Sequence, residues 1–306
     1  MKVLVTGFSG FIGKELVKKC LDNGFYVTGT YNKTKPSVDS LNNSNNLKLV
    51  QADLSNFIDV KSIFEKDTFD AIFHVAGQTF RKDNPNADIY FQNNFLSTLN
   101  LLESCRIFKI KKFILSSSIA VYGLSLGQNM PEYLPVDENH KSLPYDFYDL
   151  SKFFAENLCE YYNKKFQIDC TILRYSRVFS PLLDKGFVYL TVKNALSNNS
   201  IQINGDISTD FVHVNDVVQA NILSLKSNGF QIYNIGSGEE KTLFDIANEI
   251  IKITESTSKI IFNNKEKSRF SLNILKAKNI LDYFPTSIKQ GLIDVVKQIK
   301  NKSNVE

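Results

Sequence analysis

A chain of 306 residues is long enough for one large domain or two, and a composition of 43% hydrophobic and 22% charged residues is that of a globular protein with a substantial core. The formal net charge of +4 is spread along the chain, so no block of Lys and Arg reads as a nucleic-acid arm, and no apolar run reaches the ~18–20 residues that cross a bilayer. Cys20, Cys105, Cys159 and Cys170 stand far apart in no C-x-x-C spacing, which leaves neither a zinc site nor a disulfide framework and favours buried thiols.

The first element is a strand. Val3 to Val5 are β-formers, the run breaks at Gly7, and beyond Gly13 the apolar residues Leu16, Val17, Cys20 and Leu21 recur at helical spacing. Gly7 permits a tight turn, Gly10 lets backbone approach a ligand, and Gly13 allows close helix–strand packing. With Phe11 and Ile12 between the glycines, the helix N-terminus offers N–H groups and a positive dipole end to a pyrophosphate, so the strand–turn–helix predicts dinucleotide binding. Met1-Lys2-Val3 enters this strand at once, which leaves no room for a signal peptide and predicts a cytoplasmic protein.

A second strand is predicted over Phe25–Tyr31, followed by the loop Asn32-Lys33-Thr34-Lys35-Pro36. An acidic residue here would accept hydrogen bonds from the adenosine ribose. None stands between Gly24 and Val38, so the loop favours NADP over NAD, unless Lys33 and Lys35 are merely solvated charges. Asn-rich residues 42–46 connect to a third strand, Leu47–Val50, ending in Ala52-Asp53-Leu54. Asp53 suits either a local cap or a contact to the adenine amino group. A fourth strand spans Asp70–Ala76; His74 inside it reads as a core residue, and the backbone at Ala76 and Gly77 as the cofactor contact.

A long helix is predicted over 86–108 and a fifth strand over Lys112–Leu115, opening into Ser116-Ser117-Ser118-Ile-Ala-Val-Tyr122-Gly123. Strand and helix have alternated, which predicts an α/β fold with a parallel sheet covered on both faces and ligands beyond the carboxyl ends of its strands. Residues Gly127–Pro144 read as loop, Phe147–Lys165 as helix and Asp169–Arg174 as a buried strand. Beyond, the alternation loosens: a helix near 185–197, strands Ile201–Ile203 and Asp210–Val214, a helix over 215–226, a strand Phe230–Ile235 and a variant capping box at Thr242-Leu-Phe-Asp245.

Tyr148 and Lys152, four apart at the start of a helix, share one face. An ammonium near a phenol favours the phenolate, lowering its pKa from ~10 towards neutrality and making it a usable acid or base. A serine hydroxyl would hold the substrate oxygen, and such a trio suits hydride transfer at a carbinol or ketone. Tyr31/Lys35, Tyr161/Lys165 and Tyr189/Lys193 repeat the spacing, so what distinguishes Tyr148 is its place after a serine-rich strand end in a chain with a dinucleotide turn.

Gly7-x-x-Gly10-x-x-Gly13, Asp53-Leu54, His74-Val-Ala, Asn94 within Gln-Asn-Asn-Phe-Leu-Ser-Thr-Leu-Asn-Leu-Leu, Ser116 to Gly123, Tyr148-Asp-Leu-Ser-Lys152, Leu173-Arg-Tyr and Asp210-Phe-Val-His-Val-Asn-Asp216 stand in an order that resembles the extended short-chain dehydrogenase/reductase family, in its sugar-nucleotide epimerase/dehydratase branch. The resemblance implies a Rossmann-type doubly wound parallel sheet over 1–174, completed by about 208–238, with a smaller, interleaved C-terminal α/β lobe over 175–306 for a nucleotide-linked sugar. It implies Ser118 as the catalytic hydroxyl, Asn94 and the strand end Tyr175–Arg177 facing the cleft, Lys152 also on the nicotinamide ribose, and a homodimer through a four-helix arrangement. The composition, charge and cysteine spacing above predict no metal, membrane or nucleic acid for the chain.

Departures from the family pattern narrow the chemistry. The 4,6-dehydratases carry Thr-Asp-Glu where this chain has Ser118-Ile119-Ala120, so an acid pair for eliminating water is missing. The Asn usual before Val-Tyr-Gly-Pro is Arg177, and the Arg that grips a diphosphate before Asp-Phe-Val-His is Thr209, so Arg177 or Arg269 is expected to supply a displaced cation for phosphate. With the NADP-leaning loop, the leading expectation is a 4-keto-sugar reductase. A 4-epimerase with tightly held NAD, an NADP-sensing or RNA-binding member without catalysis, and an enzyme for a small non-nucleotide ketone or aldehyde stay open.

Overall fold

A computed structural model of the chain describes residues 1–38, 41, 44–80, 86–123 and 131–303. Seven parallel strands form the main sheet: β1 (Lys2–Thr6), β2 (Tyr26–Tyr31), β3 (Leu47–Gln51), β4 (Ala71–His74), β5 (Lys112–Ser118), β6 (Asp169–Tyr175) and, after two further strands, β9 (Phe230–Ile235). Their order is β3-β2-β1-β4-β5-β6-β9. That is a doubly wound sheet whose direction of winding reverses between β1 and β4, the place where such sheets bind ligands.

The strands read as apolar runs because both faces are covered. Val3 and Val5 pack into a core with α1 (Phe11–Asp22), whereas Leu4, between them, points into the opposite core with α2 (Phe57–Lys66). Helix α2 lies where no element is predicted. Asn56 caps it by accepting from the Ile58 N–H at 2.9 Å, and Val60, Ile63 and Phe64 make its short buried stripe.

The helix predicted over 86–108 is three pieces: α3 (Ala87–Tyr90), a π-helical turn (Phe91–Leu96) and α4 (Ser97–Phe108). A π turn widens the backbone and is frequent at functional sites. Here it carries buried Asn94. Residues 42–43 of the Asn-rich connection and 127–130 of the expected loop lie outside the described residues; Ser44–Asn46 is a short 3₁₀ turn.

Helix α5 (Phe147–Phe166) leads into β6, and β7 (Arg177–Phe179) follows at once. A second sheet has the order β10-β8-β11, with β7 paired to β8, where β8 is Ile201–His213, β10 Glu240–Thr242 and β11 Ile260–Arg269. Two short strands are predicted where β8 runs unbroken for 13 residues. Ile201, Ile203 and Gly205 all face inward, so the period of two persists, but Gly205 at an inward position and polar Asn204 and Asp206 erase its hydrophobic signal.

Helices α6 (Phe187–Leu196), α8 (Leu243–Thr254) and α10 (Ile288–Ser303) bury Val192, Ile246 and Leu292 in a third core with β8. Thr242 and Asp245 form the capping box of α8 in both directions. Helix α7 (Val214–Leu223) joins β8 to β9, and α9 (Leu275–Leu281) precedes α10. The four cysteines are buried and free. Among the described residues no helix is long and apolar enough to cross a membrane, and no group of three His, Cys, Asp or Glu residues could hold a metal ion.

Candidate active site

A groove of about 230 Å³ runs along the carboxyl edge of the sheet, over Gly7 and Gly10, past Asn32, to Asp53, Leu54 and Ala76. Gly7 has φ +72° and backs onto β4: a Cβ there would stand 2.7 Å from Ala76 Cα. Gly10 is the N-cap of α1, and its N–H donates to Gly7 O at 3.0 Å. The first turn of α1 carries no acidic residue, so no side chain of the helix itself opposes an anion at its N-terminus.

Asp53 makes the local cap: its Oδ1 accepts from Ser55 N at 3.0 Å and Ser55 Oγ at 2.7 Å, while the residue still lines the groove. Asn32 lines it too, whereas Lys33 and Lys35 are exposed and stand outside its wall. The charges that favour NADP in the sequence are therefore peripheral. A pyrophosphate-linked dinucleotide fits this groove, since Gly10 leaves space where any other residue would place a Cβ.

His74 is a core residue with all its bonds made. Thr6 Oγ1 accepts from the N–H groups of Val75 (3.1 Å) and Ala76 (3.0 Å), so its own proton goes to His74 Nδ1 at 2.9 Å. Thr98 Oγ1 donates to Asn94 O and accepts from His74 Nε2–H at 3.1 Å. Burial, with the nearby Lys152 charge, pushes the imidazole down to about 3, so it stays neutral. Its function is to fix the end of β4 where it meets the groove.

Ser118, Tyr148 and Lys152 converge from β5 and α5. Asp146 caps α5 by accepting from Asp149 N at 2.9 Å, which sets Tyr148 in the first turn and Lys152 one turn on. Ser118 Oγ accepts from Ala120 N at 3.1 Å, which leaves its proton for the Tyr148 side, where the hydroxyl favours the phenolate, and both residues line the same cavity. The tyrosine ring lies between Phe80 and Tyr90, at centroid distances of 6.5 and 6.0 Å.

The predicted fall of the Tyr148 pKa is not what the structure has. Burial raises it to about 12, against the hydrogen bond from Ser118 and with the help of the Asp149 and Asp146 charges. Lys152 gives no relief, because its Nζ donates to Ser116 O at 3.0 Å and burial lowers its own pKa to about 8, opposed by Glu156. Asn94 completes the floor: Oδ1 accepts from Gln78 N at 2.8 Å, and Nδ2 donates to Gln78 O at 3.1 Å and Ser151 Oγ at 2.9 Å. A Cβ on Gly77 would stand 2.7 Å from Asn94 Oδ1 and 3.2 Å from Lys152 Nζ, so Gly77 keeps this corner open.

Behind the three serines lies a pair that sequence reading misses. Arg174 Nη2 donates to Glu156 Oε2 at 2.6 Å, both side chains are 5% exposed, and Ser117 Oγ donates to Glu156 Oε1 at 2.5 Å. The guanidinium also lies 4.7 Å from the Tyr122 ring centroid. Glu156 follows Lys152 by one helical turn, a spacing that could have flagged it, but its partner lies 18 residues away on β6. Glu156→Gln leaves a buried cation without its counter-charge and should destabilise the fold by ~3–5 kcal/mol. Urea denaturation measures this; a loss below ~1 kcal/mol would mean that the pair is no more than a surface-grade contact.

Tyr148 and Ser118 open into a cleft of about 720 Å³ that Phe11, Ile12, Arg177 and Lys185 also line. Among its described lining residues there is no Asp or Glu. Arg269 is not brought there. Its neighbours Ser268 and Phe270 line the cleft, so Arg269 projects from the other side of β11, where its Nε donates to Glu240 at 2.7 Å. Thr209 lines the cleft, and the next residue turns away: Asp210 accepts from Ser176 Oγ at 2.9 Å and from the N–H groups of Ser237 and Gly238, each at 2.8 Å. His213 caps α7 through Asn215 N at 3.4 Å.

Residues 3–236 match the model of the NAD dependent epimerase/dehydratase family. A UDP-glucuronate 4-epimerase of Thermodesulfobacterium geofontis is 31% identical, over 99% of this chain and 97% of its own. Among solved structures, the UDP-glucose 4-epimerase of Thermotoga maritima with UDP-glucose superposes with a TM-score of 0.89 at 27% identity, covering 99% of this chain and 100% of that one. The UDP-glucuronic acid 4-epimerase of Bacillus cereus, in complex with UDP-glucuronic acid and NAD, does so with a TM-score of 0.83 at 28% identity and the same coverage.

Proposed function

The chain belongs to the NAD dependent epimerase/dehydratase family, and we propose that within it this protein is a nucleotide-sugar 4-epimerase that works with NAD. The observation that carries the reading is a cleft in which the Tyr148 and Ser118 hydroxyls meet with no carboxylate among the described lining residues. Two hydroxyls can pass a proton to and from a sugar O4. Eliminating water from the neighbouring carbons needs a further acid and base, and Ile119 and Ala120 stand where they would be.

In this reading the Gly7–Gly13 turn, Phe11, Ile12, Asp53, Leu54, Ala76, Gly77 and Asn94 hold the dinucleotide, and Lys152 holds the nicotinamide ribose. NAD, when bound, supplies the hydride acceptor at C4 and returns the hydride. Tyr148 takes the O4 proton and gives it back after the 4-keto sugar has turned its other face, and Ser118 steadies the oxygen on which charge develops. Residues 1–174 with β9 serve the cofactor, and 175–306 otherwise serve the substrate. Phe154, 38% exposed on α5 and 6.1–6.3 Å from the rings of Phe91 and Phe95, supports pairing of this face in a homodimer.

The peripheral place of Lys33 and Lys35 and the full-length 4-epimerase relatives turn the reading from the reductase to the epimerase. The protein should convert UDP-glucose or UDP-glucuronate into its C4 epimer, followed by proton NMR, with no net accumulation of NADH. Stoichiometric oxidation of NADPH by a 4-keto nucleotide sugar would overturn this in favour of the reductase.

A further inference from the structure

The chain passes directly from the main sheet to the second sheet at two places, from β6 to β7 and from β9 to β10. Both crossings are held on one side chain. Asp210, fully buried on β8, accepts from Ser176 Oγ at 2.9 Å, and Ser176 is the single residue between β6 and β7. The same carboxylate accepts from Ser237 N and Gly238 N, each at 2.8 Å, in the turn between β9 and β10. Gly236 in that turn leaves room for it, since a Cβ there would stand 2.5 Å from Asp210 Oδ1 and 2.8 Å from its Cγ. Buried Tyr283 holds the turn as well, donating to Gly236 O at 2.9 Å. No Lys, Arg or His pairs with Asp210 among the described residues, and burial raises its pKa to about 7 against those hydrogen bonds. A buried carboxylate without a counter-charge costs a fold stability, so its worth lies in what its three donors hold together.

What they hold is a wall of the cleft. Ser176 and Arg177 line it beside Ser118 and Tyr148, and so does Thr209, the neighbour of Asp210 on β8. Ser118 and Tyr148 come from β5 and α5, on the side of the main sheet, whereas Thr209 and Ser268 come from β8 and β11 of the second. β7 pairs with β8, Arg177 opposite Phe211, so the Ser176 crossing and β8 keep one register. We infer that Asp210 is a positioning residue for the reaction: as the joint between the two sheets, it sets the sugar-binding wall against the Tyr148 and Ser118 hydroxyls so that O4 meets them. The inference rests on the 4-epimerase reading and adds to it a residue that stands outside the linings of both the cleft and the dinucleotide groove.

Asp210→Asn tests it, read at about pH 8, where the parent carboxylate is ionised. Asn keeps the size, but it offers one acceptor oxygen in place of two and turns an amide N–H against a donor. Misplacing the wall should lower kcat/KM for UDP-glucose by roughly 10–100-fold and weaken its calorimetric Kd in the presence of NAD. The Kd of NAD should stay as in the parent, because its groove lies over Gly7, Gly10 and Asp53. Ser176→Ala should show the same pattern, and the double variant should lose no more than the larger single loss, since both changes break one joint. A merely structural Asp210 would instead leave less binding-competent protein for NAD and sugar alike, with both Kd values unchanged. That result overturns the inference, and so do losses that multiply in the double variant. If Asp210→Asn does not fold, Ser176→Ala carries the test, and a sugar Kd equal to that of the parent overturns the inference. If the parent does not epimerise UDP-glucose, the epimerase reading fails, and the Kd values still decide the part played by Asp210.

Discussion

Tyr148→Phe is expected to lower turnover by ~10²–10⁴-fold, the usual worth of a positioned acid or base, with little change in stability or in NAD affinity. The substitution removes one oxygen and keeps the ring, so the contacts to Phe80 and Tyr90 persist. What is lost is the hydroxyl that lines the cleft beside Ser118. The raised pKa makes the test sharper. A phenol at about 12 is a proton donor at neutral pH and a base only when its anion is stabilised, and the hydroxyl aimed at it for that purpose is Ser118. A neutral serine hydroxyl is a far weaker proton acceptor than a phenolate, so Ser118 does not replace Tyr148 as the base. Initial rates and a cofactor titration on the same preparation separate the outcomes, and parent-like turnover with Phe at 148 would take this residue out of the chemistry.

How much of this could be read from the chain follows from how local each feature is. The strand, glycine turn and helix over residues 2–22 lie within one short window, and the spacing of Tyr148 and Lys152 on one helix is likewise local. Helix α2 escapes because its buried stripe is three residues between charged ones, and Asn56 with Asp59 is its clearest signal. The π turn escapes because no residue pattern distinguishes it from the α-helices on either side. The face of Arg269 is decided by the pairing of β11 with β8, where Arg269 lies opposite Ser208, and a lone strand does not reveal its partner. The direction of the Tyr148 shift depends on burial and on where the Lys152 ammonium finds its acceptor, both of which are settled between elements far apart in sequence. Placement that needs only a residue type and a spacing was legible, and electrostatics that needs a third element was not.

The glycine turn allows the fold and the cofactor site to be separated by two substitutions. At Gly13 a Cβ would stand 2.2 Å from Gly7 O and 2.8 Å from Gly7 C, both backbone atoms, so Gly13→Ala must push α1 away from β1 and should destabilise the protein. At Gly10 the nearest protein atom to a Cβ is Gly7 O at 3.3 Å, and the backbone, with φ −76° and ψ 160°, is open to any residue. A Cβ at 10 therefore asks Gly7 O to give by a few tenths of an ångström, a far smaller demand than the overlap at 13. The side chain position at Gly10 opens into the groove at the N-terminus of α1, where a pyrophosphate would meet the helix N–H groups. Gly10→Val should accordingly fold with a thermal midpoint well above that of Gly13→Ala, abolish NAD binding in a calorimetric titration, and lose epimerisation with it. A folded Gly10→Val protein that binds NAD as the parent does would show that the dinucleotide lies elsewhere, and Asn32, Asp53 and Ala76, which line the same groove, would lose their assignment together with Gly10.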